Sequence, residues 1–219
     1  MEFALVSDIH GNRVALDAVR EDMPAVDGIV CAGDVVGYNP WPGEAVEWIR
    51  SNDIPTVMGN HDRAVATGRA EQFNDMALAG VEYARDRLSA EQIDWLGSLP
   101  ESTTAGDGRV RIVHGHPDDP DRYVYADAVD SAMLGSEDVL VLGHTHVPFV
   151  RAFEAGIVVN PGSVGQPRDG DPGAAYALLD LDSGTVEHRR VSYDVGRVLD
   201  AVEEAGLPRR VGTRLAYGE

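Results

Sequence analysis

Residues 3–12, Phe3-Ala4-Leu5-Val6-Ser7-Asp8-Ile9-His10-Gly11-Asn12, pass from an apolar run into a carboxylate, an imidazole and a turn. The run predicts a buried strand over 2–7. The spacing of Val14, Leu16, Ala18 and Val19 predicts a helix over 13–21 directly after it. The same order recurs downstream. Apolar residues 28–32 lead into Gly33-Asp34, then a Pro/Gly loop, Asn39-Pro40-Trp41-Pro42-Gly43, and a helix over 44–50. Residues 54–58 predict a third strand, ending at Gly59-Asn60-His61-Asp62. Strand, polar motif and helix in alternation argue for an α/β sheet that carries ligands on loops at strand C-termini.

Beyond this unit the pattern changes. Phe73, Met76, Ala77, Val81 and Ala84 have helical spacing over 73–87, and Ser89 with Gln92 makes a capping box for a helix over 90–97. Residues 68–100 thus read as a helical, cap-like segment. Strands over 109–113 and 138–142, with a short helix near 126–134 between them, end at His114-Gly115-His116 and Gly143-His144-Thr145-His146. The remainder is β-rich, with strands over 147–153, 156–159, 174–181 and 185–191 and a hairpin turn at Asp182-Ser183-Gly184. A helix over 194–205 closes at Gly206, and the polar 208–219 segment reads as a mobile tail. All 219 residues read as one domain.

Composition narrows the function classes. There are 37 acidic residues against 18 basic ones, for a net charge of -19, and every basic residue is arginine. Such a chain repels polyanions and anionic lipid, and it lacks the basic face of a duplex-DNA binder. An acidic, lysine-free composition predicts a halophilic, archaeal source. Molar salt would screen the self-repulsion, because the Debye length falls to about 3 Å at 1 M. No apolar run approaches the roughly 18 residues of a membrane span. The single cysteine, Cys31, rules out an internal disulfide and fits a reducing, cytoplasmic location; its apolar neighbours mark it as a small buried residue. Homo-oligomerisation stays open.

Five blocks carry the chemistry. Asp8 and His10 reach one cation if the backbone turns after the strand, and Gly11-Asn12 supplies that turn. Asp34, at the end of a buried strand, offers a carboxylate with two oxygens to bridge two cations. Asn60 offers a carbonyl oxygen, and His61 is a candidate acid. His114 and His116 share one face of an extended segment, as do His144 and His146, which uses four of the seven histidines in two pairs. Neutral imidazole is a common transition-metal ligand, and without cysteine ligands a closed structural zinc site is disfavoured. Mixed Asp, Asn and His donors suit Mn, Fe, Zn, Co or Ni.

With these motifs in this order, the chain resembles the calcineurin-like metallophosphoesterase superfamily, in particular its small single-domain prokaryotic phosphodiesterases. The resemblance runs from Phe3 to about Asp169 and includes Asn160-Pro161-Gly162-Ser163. It implies an α/β (α+β) fold, a four-layer αββα sandwich of two mixed β-sheets flanked by helices. It implies that Asp8, His10 and His146 hold one divalent metal, that Asn60, His114 and His144 hold a second, and that Asp34 bridges them. Manganese is the favoured ion. His61 then faces the phosphate as the catalytic group and Asp62 orients it. Arg63, His116 and Arg168 become candidate substrate contacts. The implied reaction is in-line attack on a phosphodiester by a metal-bridging hydroxide.

Two departures bear on substrate. Gly33-Asp34 continues as Val35-Val36-Gly37-Tyr38, and Asp62 stands where phosphoprotein phosphatases and dinucleoside tetraphosphatases carry Glu. Both make those substrate classes less favoured. Pro161-Gly162-Ser163-Val164-Gly165 lacks the first glycine of a serine nucleophile elbow. The leading expectation is a phosphodiesterase on a small or single-stranded substrate. A phosphomonoesterase with the same metals, or a non-enzymatic metal-binding scaffold, are the alternatives; the presence of His61 counts against the scaffold. Specificity is expected from the 68–100 and 117–137 segments. The acidic run Asp118-Asp119-Pro120-Asp121 reads as a solvated loop.

Overall fold

A computed structural model describes residues 1–70 and 73–219. The chain folds as two mixed sheets packed face to face. The first has the order β2-β1-β8-β9, with β1 at Glu2–Val6, β2 at Gly28–Cys31, β8 at Ala174–Asp180 and β9 at Thr185–Val191. The second has the order β3-β4-β5-β7-β6, with β3 at Ser102–Ala105, β4 at Val110–Val113, β5 at Val139–Val141, β6 at Phe149–Phe153 and β7 at Gly156–Asn160. β1 and β2 run parallel, as do β4, β5 and β7. Five helices follow in the first part of the chain: α1 at Arg13–Asp22, α2 at Pro42–Ser51, α3 at Asn60–Thr67, α4 at Asp75–Arg87 and α5 at Ala90–Ser98. α6 spans Val195–Glu204 and α7 spans Arg210–Thr213.

The layers follow from alternation along each strand. Phe3 and Leu5 of β1 join Val110, Ile112, Val139, Val141, Val159, Ala177 and Leu179 in the apolar interior between the sheets. Val6 belongs to the opposite face, where α1 to α5 contribute Leu16, Val19, Ile49, Val65, Val81 and Leu96. Each such fully buried aliphatic side chain contributes about 1.5–3 kcal/mol. The outer face of the second sheet is covered by Val124 and Met133 from the long loop after β4. This is the expected αββα sandwich. No helix among the described residues is long and apolar enough to cross a membrane.

Local differences from the expectation have physical causes. The third strand, expected over 54–58, is reduced to one bridge between Cys31 and Thr56. Pro55 has no N–H to give a ladder, and the chain turns away into Gly59. The helix expected near 126–134 is only a 3-10 turn at Ser131–Met133, started by the Asp130 side chain and stopped before Gly135. β3 went unpredicted because Ser102-Thr103-Thr104-Ala105 has no apolar alternation; it is a short edge strand paired antiparallel to β4. The capping box of Ser89 and Gln92 forms on α5. The 208–219 segment is not a free tail: Val211 and Leu215 are fully buried against Val198, Val202 and Tyr38.

Candidate metal centre

The C-terminal ends of β1, β2, β4 and β5 converge on one point. After β1 the chain turns through left-handed backbone at Asp8 (φ 52°) and His10 (φ 48°). The Asp8 N–H donates to Gly33 O and the His10 N–H to Asp34 O, each at 2.9 Å, so the loops after β1 and β2 are locked together. Among the described residues, eight non-glycine positions have positive φ, and six of them are Asp8, His10, Asp34, Tyr38, His144 and His146. Such conformations cost about 1–3 kcal/mol each and persist where the surroundings over-determine them. Asn60 and His61 start α3 behind Gly59, where an added Cβ would lie 2.0 Å from Asp34 Oδ1.

The donors fall into two groups that share Asp34. One comprises Asp8, His10, Asp34 and His146; the other comprises Asp34, His114 and His144. Within each group the ligand atoms lie within 4.8 Å of one another. Asn60 Oδ1 is 3.3 Å from His114 Nε2, beside the second group.

Hydrogen bonds outside the groups orient each donor. The Nδ1 of His10, His114 and His146 meets the carbonyls of Val36 (3.1 Å), Ala32 (2.7 Å) and Gln166 (2.5 Å). His144 uses its Nε2 on the Asp121 carbonyl, at 3.1 Å. Each imidazole thus spends one nitrogen on the backbone and presents the other to the centre, which is how metal-ligating histidines are held. His10 Nε2 and His146 Nε2 approach to 3.1 Å. With their N–H groups given to carbonyls, both atoms present lone pairs, an approach that a cation between them makes favourable. Asp8 Oδ2 accepts from Ser7 Oγ at 2.6 Å and from the His144 N–H at 3.2 Å. Asp8 Oδ1 is buried with no hydrogen-bond partner among the described residues. These residues fit two divalent cations.

Asp34 differs in detail from the two-oxygen bridge expected of it. Its Oδ1 accepts the His61 N–H at 2.8 Å, and Oδ2 alone faces both groups, 3.7 Å from His10 Nε2 and 3.4 Å from His114 Nε2. A single oxygen is therefore placed to bridge.

Electrostatics reflect the burial. Burial raises the Asp34 and Asp8 carboxyls, but neighbouring His114 and His146 hold both below the ordinary range. Burial lowers His114, yet the Asp34 carboxylate outweighs it and moves the imidazole up to about 10. Burial lowers His10 and His146, and brings His61 and His144 to about 4.

Three expected roles change on inspection. Asp62 accepts from the Gly59 and Val36 N–H groups, each at 3.1 Å, and no hydrogen bond among the described residues joins it to His61. As the third residue of α3 it folds back on the helix start, while the next-door His61 points elsewhere. His61 is instead wedged between rings, 4.6 Å from Tyr38, 4.6 Å from Phe73 and 4.7 Å from His10. His116 stays outside both donor groups; its Nδ1 accepts the Asp118 N–H at 3.1 Å and shapes the loop. Asp121 is no mere solvated residue, since its carbonyl meets His144 and its carboxylate pairs with Arg63. Tyr38, Gln166 and Tyr123 were not singled out from sequence. Tyr123 stacks on His144 at 4.0 Å, and no local pattern announces that contact.

An open cleft of about 490 Å³ adjoins the centre, lined by Asn60, His61, His144, Arg69, Phe73, Asn74 and Tyr123, among others. Both segments expected to carry specificity contribute to it. A model of the calcineurin-like phosphoesterase superfamily domain matches residues 1–184. The chain belongs to that superfamily.

Relatives agree with the family. An uncharacterized protein of Methanocaldococcus jannaschii is 34% identical over 98% of this chain and 97% of its own length. The phosphodiesterase YfcE of Escherichia coli is 28% identical, covering 83% of this chain and 89% of its own. The crystal structure of a metallophosphoesterase from Sphaerobacter thermophilus superposes with a TM-score of 0.88 at 35% identity, covering 100% and 99% of the two chains. As a member of this superfamily with a dinuclear donor cluster, the chain is a metal-dependent phosphoric ester hydrolase.

Proposed function

We propose that the protein is a phosphodiesterase acting on a small or single-stranded phosphodiester. The observation that carries this reading is the pair of buried donor groups sharing Asp34 at the floor of an open cleft. Asp8, His10 and His146 would hold one cation, Asn60, His114 and His144 the other, and Asp34 both; manganese suits this donor set. Bound there, two divalent cations supply Lewis acidity toward the phosphoryl oxygens and toward the attacking water. His61 lines the cleft; burial keeps its imidazole neutral near pH 7 in the metal-free protein, so the role assigned to it is to steady the leaving ester oxygen by a hydrogen bond from a ring N–H. Asp62 positions the α3 start, and through it His61, by holding the Gly59 and Val36 amides. Arg63 is held by Asp121 across the cleft rim and acts as a substrate contact only if that pair opens.

The diester preference rests on two supports. The cleft is roomy, with α3, the start of α4 and the Tyr123 loop around the centre, and gives space for two ester substituents. The E. coli relative bears the name phosphodiesterase. The acidic, lysine-free composition supports a halophilic source and argues against a duplex nucleic-acid substrate. The test is hydrolysis of bis-p-nitrophenyl phosphate and of p-nitrophenyl phosphate with Mn²⁺ in high salt. Cleavage of the diester, lost in Asp34→Asn and reduced by about 10²–10⁴ in His61→Ala, is the expected result. Cleavage of the monoester alone would move the substrate class.

A further inference from the structure

The cleft beside the metal centre has an aromatic wall that the hydrolytic chemistry leaves unused. Tyr38, Phe73 and Tyr123 all line it. Tyr38 is buried, and Phe73 is half-buried with its ring 4.6 Å from that of His61. Tyr123 differs, because 48% of it is exposed. It stacks on His144 at 4.0 Å, within 20° of parallel. Tyr125 runs nearly parallel to it at 6.3 Å, yet leaves about half of the Tyr123 surface open. The cleft thus contains one open aromatic face, set directly against a metal-donor imidazole.

The loop that carries this ring is held in place. Val124 buries its side chain against the outer face of the second sheet, while Tyr123 and Tyr125 on either side stay exposed. The His116 N–H donates to Asp119 O at 3.1 Å and to Arg122 O at 3.2 Å. The Asp121 carbonyl meets His144 Nε2 at 3.1 Å, and the Asp121 carboxylate pairs with Arg63 of α3. The ring is therefore positioned before anything binds, which removes an ordering cost from binding. A polar donor lies in the same cleft. Asn74 Oδ1 accepts the Met76 and Ala77 N–H groups, each at 3.1 Å, which leaves the Nδ2 amino group to donate to a group in the cleft.

We propose that Tyr123 is a base-stacking platform beside the metal centre, so that the substrate is a phosphodiester carrying a nucleoside. Naming the substrate in this way rests on the phosphodiesterase reading. A nucleobase fits the wall better than an acyl chain. It offers a π-face to the open ring and polar edge atoms to Asn74 Nδ2. An acyl chain would instead cover Asn60, Thr67 and Asn74 without replacing their hydrogen bonds to water. A base is also uncharged, so it adds no repulsion from a chain of net charge -19. The 117–137 segment thus acts through Tyr123 as a specificity element, selecting nucleoside diesters over diesters of other alcohols.

The test compares thymidylyl-thymidine with its counterpart lacking both bases, using the metal-loaded full chain. Wild type is expected to prefer the base-bearing diester by about 5–150-fold in kcat/KM, chiefly through KM, the scale of stacking one base on an aromatic ring. That ratio falls close to one in Tyr123→Leu and Tyr123→Ala, while Tyr123→Phe retains it. The ratio is internal to each variant, so a disturbance of His144 that lowers metal content slows both substrates together and leaves the ratio standing. Calorimetric titration with thymidine 5′-phosphate and with 1,2-dideoxyribose 5-phosphate gives a readout independent of turnover, with the same preference in Kd and the same pattern among the variants. Cleavage of both diesters with no preference overturns the platform and leaves the diesterase reading standing. A preference that survives in Tyr123→Leu places the base elsewhere and also overturns it. If neither diester is cleaved, the diesterase reading fails, and the calorimetric ratio alone decides the platform. Matching thermal transitions of wild type and Tyr123→Leu exclude misfolding as the cause.

Discussion

At the scale of single residues, the centre depends on how each donor is aimed. Asp34 Oδ2 is the one atom that faces both donor groups. Asp34→Asn is therefore expected to lower metal content from two ions per chain toward one, measured by elemental analysis after dialysis. Ser7 holds Asp8 Oδ2, so Ser7→Ala should weaken metal binding by about 10–100-fold, the usual cost of losing a group behind a ligand. The pH behaviour follows from His114. In the metal-free protein Asp34 holds that imidazole protonated up to about 10, against an ordinary value of 6.5. The sign is that of a raised group: the stabilising His114–Asp34 pair is fully present below 6.5 and lost as pH rises through about 10. A cation at pH 7–8 must displace this proton. Metal loading is expected to release protons in an unbuffered titration, and His114→Gln should release fewer.

At the scale of elements, two glycines in helices separate packing from propensity. Gly80 brings α4 onto the Tyr38 backbone, and a Cβ there would lie 2.2 Å from Tyr38 N. Backbone cannot yield as a side-chain tip does, so Gly80→Ala should cost about 1–3 kcal/mol and lower Tm by roughly 2–12 °C. Gly97 of α5 meets only Ala66 Cβ, at 3.5 Å. There the same substitution should raise Tm slightly, because alanine loses less entropy in a helix than glycine. Calorimetry of both variants checks the contrast; equal shifts would refute the close contact at Gly80. Helix and strand identities were mostly legible in sequence because apolar periodicity and caps are local signals, as at Val14–Val19 and Ser89–Gln92. The failures were equally local: Pro55 broke an apolar run that read as a strand, and the polar Thr103-Thr104 pair hid one.

For the whole molecule, charge and metal are the two external controls of stability. A net charge of -19 makes the compact state repel itself, and salt reduces that repulsion as the Debye length falls from about 10 Å at 0.1 M to 3 Å at 1 M. Tm should rise steadily with KCl over this range; a flat response would count against a halophilic source. Buried Asp8, Asp34 and the histidines around them lose their intended partners on chelation. EDTA should lower Tm by roughly 5–10 °C per site that had been held at a hundredfold excess over Kd.

The sequence by itself determined the donor types, their order along the chain and their places after strands, because ligand chemistry and apolar runs are written in adjacent residues. It also determined the charge balance and the absence of a thiol site. Only the tertiary structure decided which atoms meet. It put Asp34 Oδ2 rather than both oxygens between the two groups, gave Asp62 to the Gly59 and Val36 amides rather than to His61, and turned His116 away into its own loop. It also brought Leu215 into the apolar cluster of Tyr38 from the far end of the chain. These are contacts between segments distant in sequence, set by sheet order and by left-handed turns at the strand ends, and no window of neighbouring residues contains them.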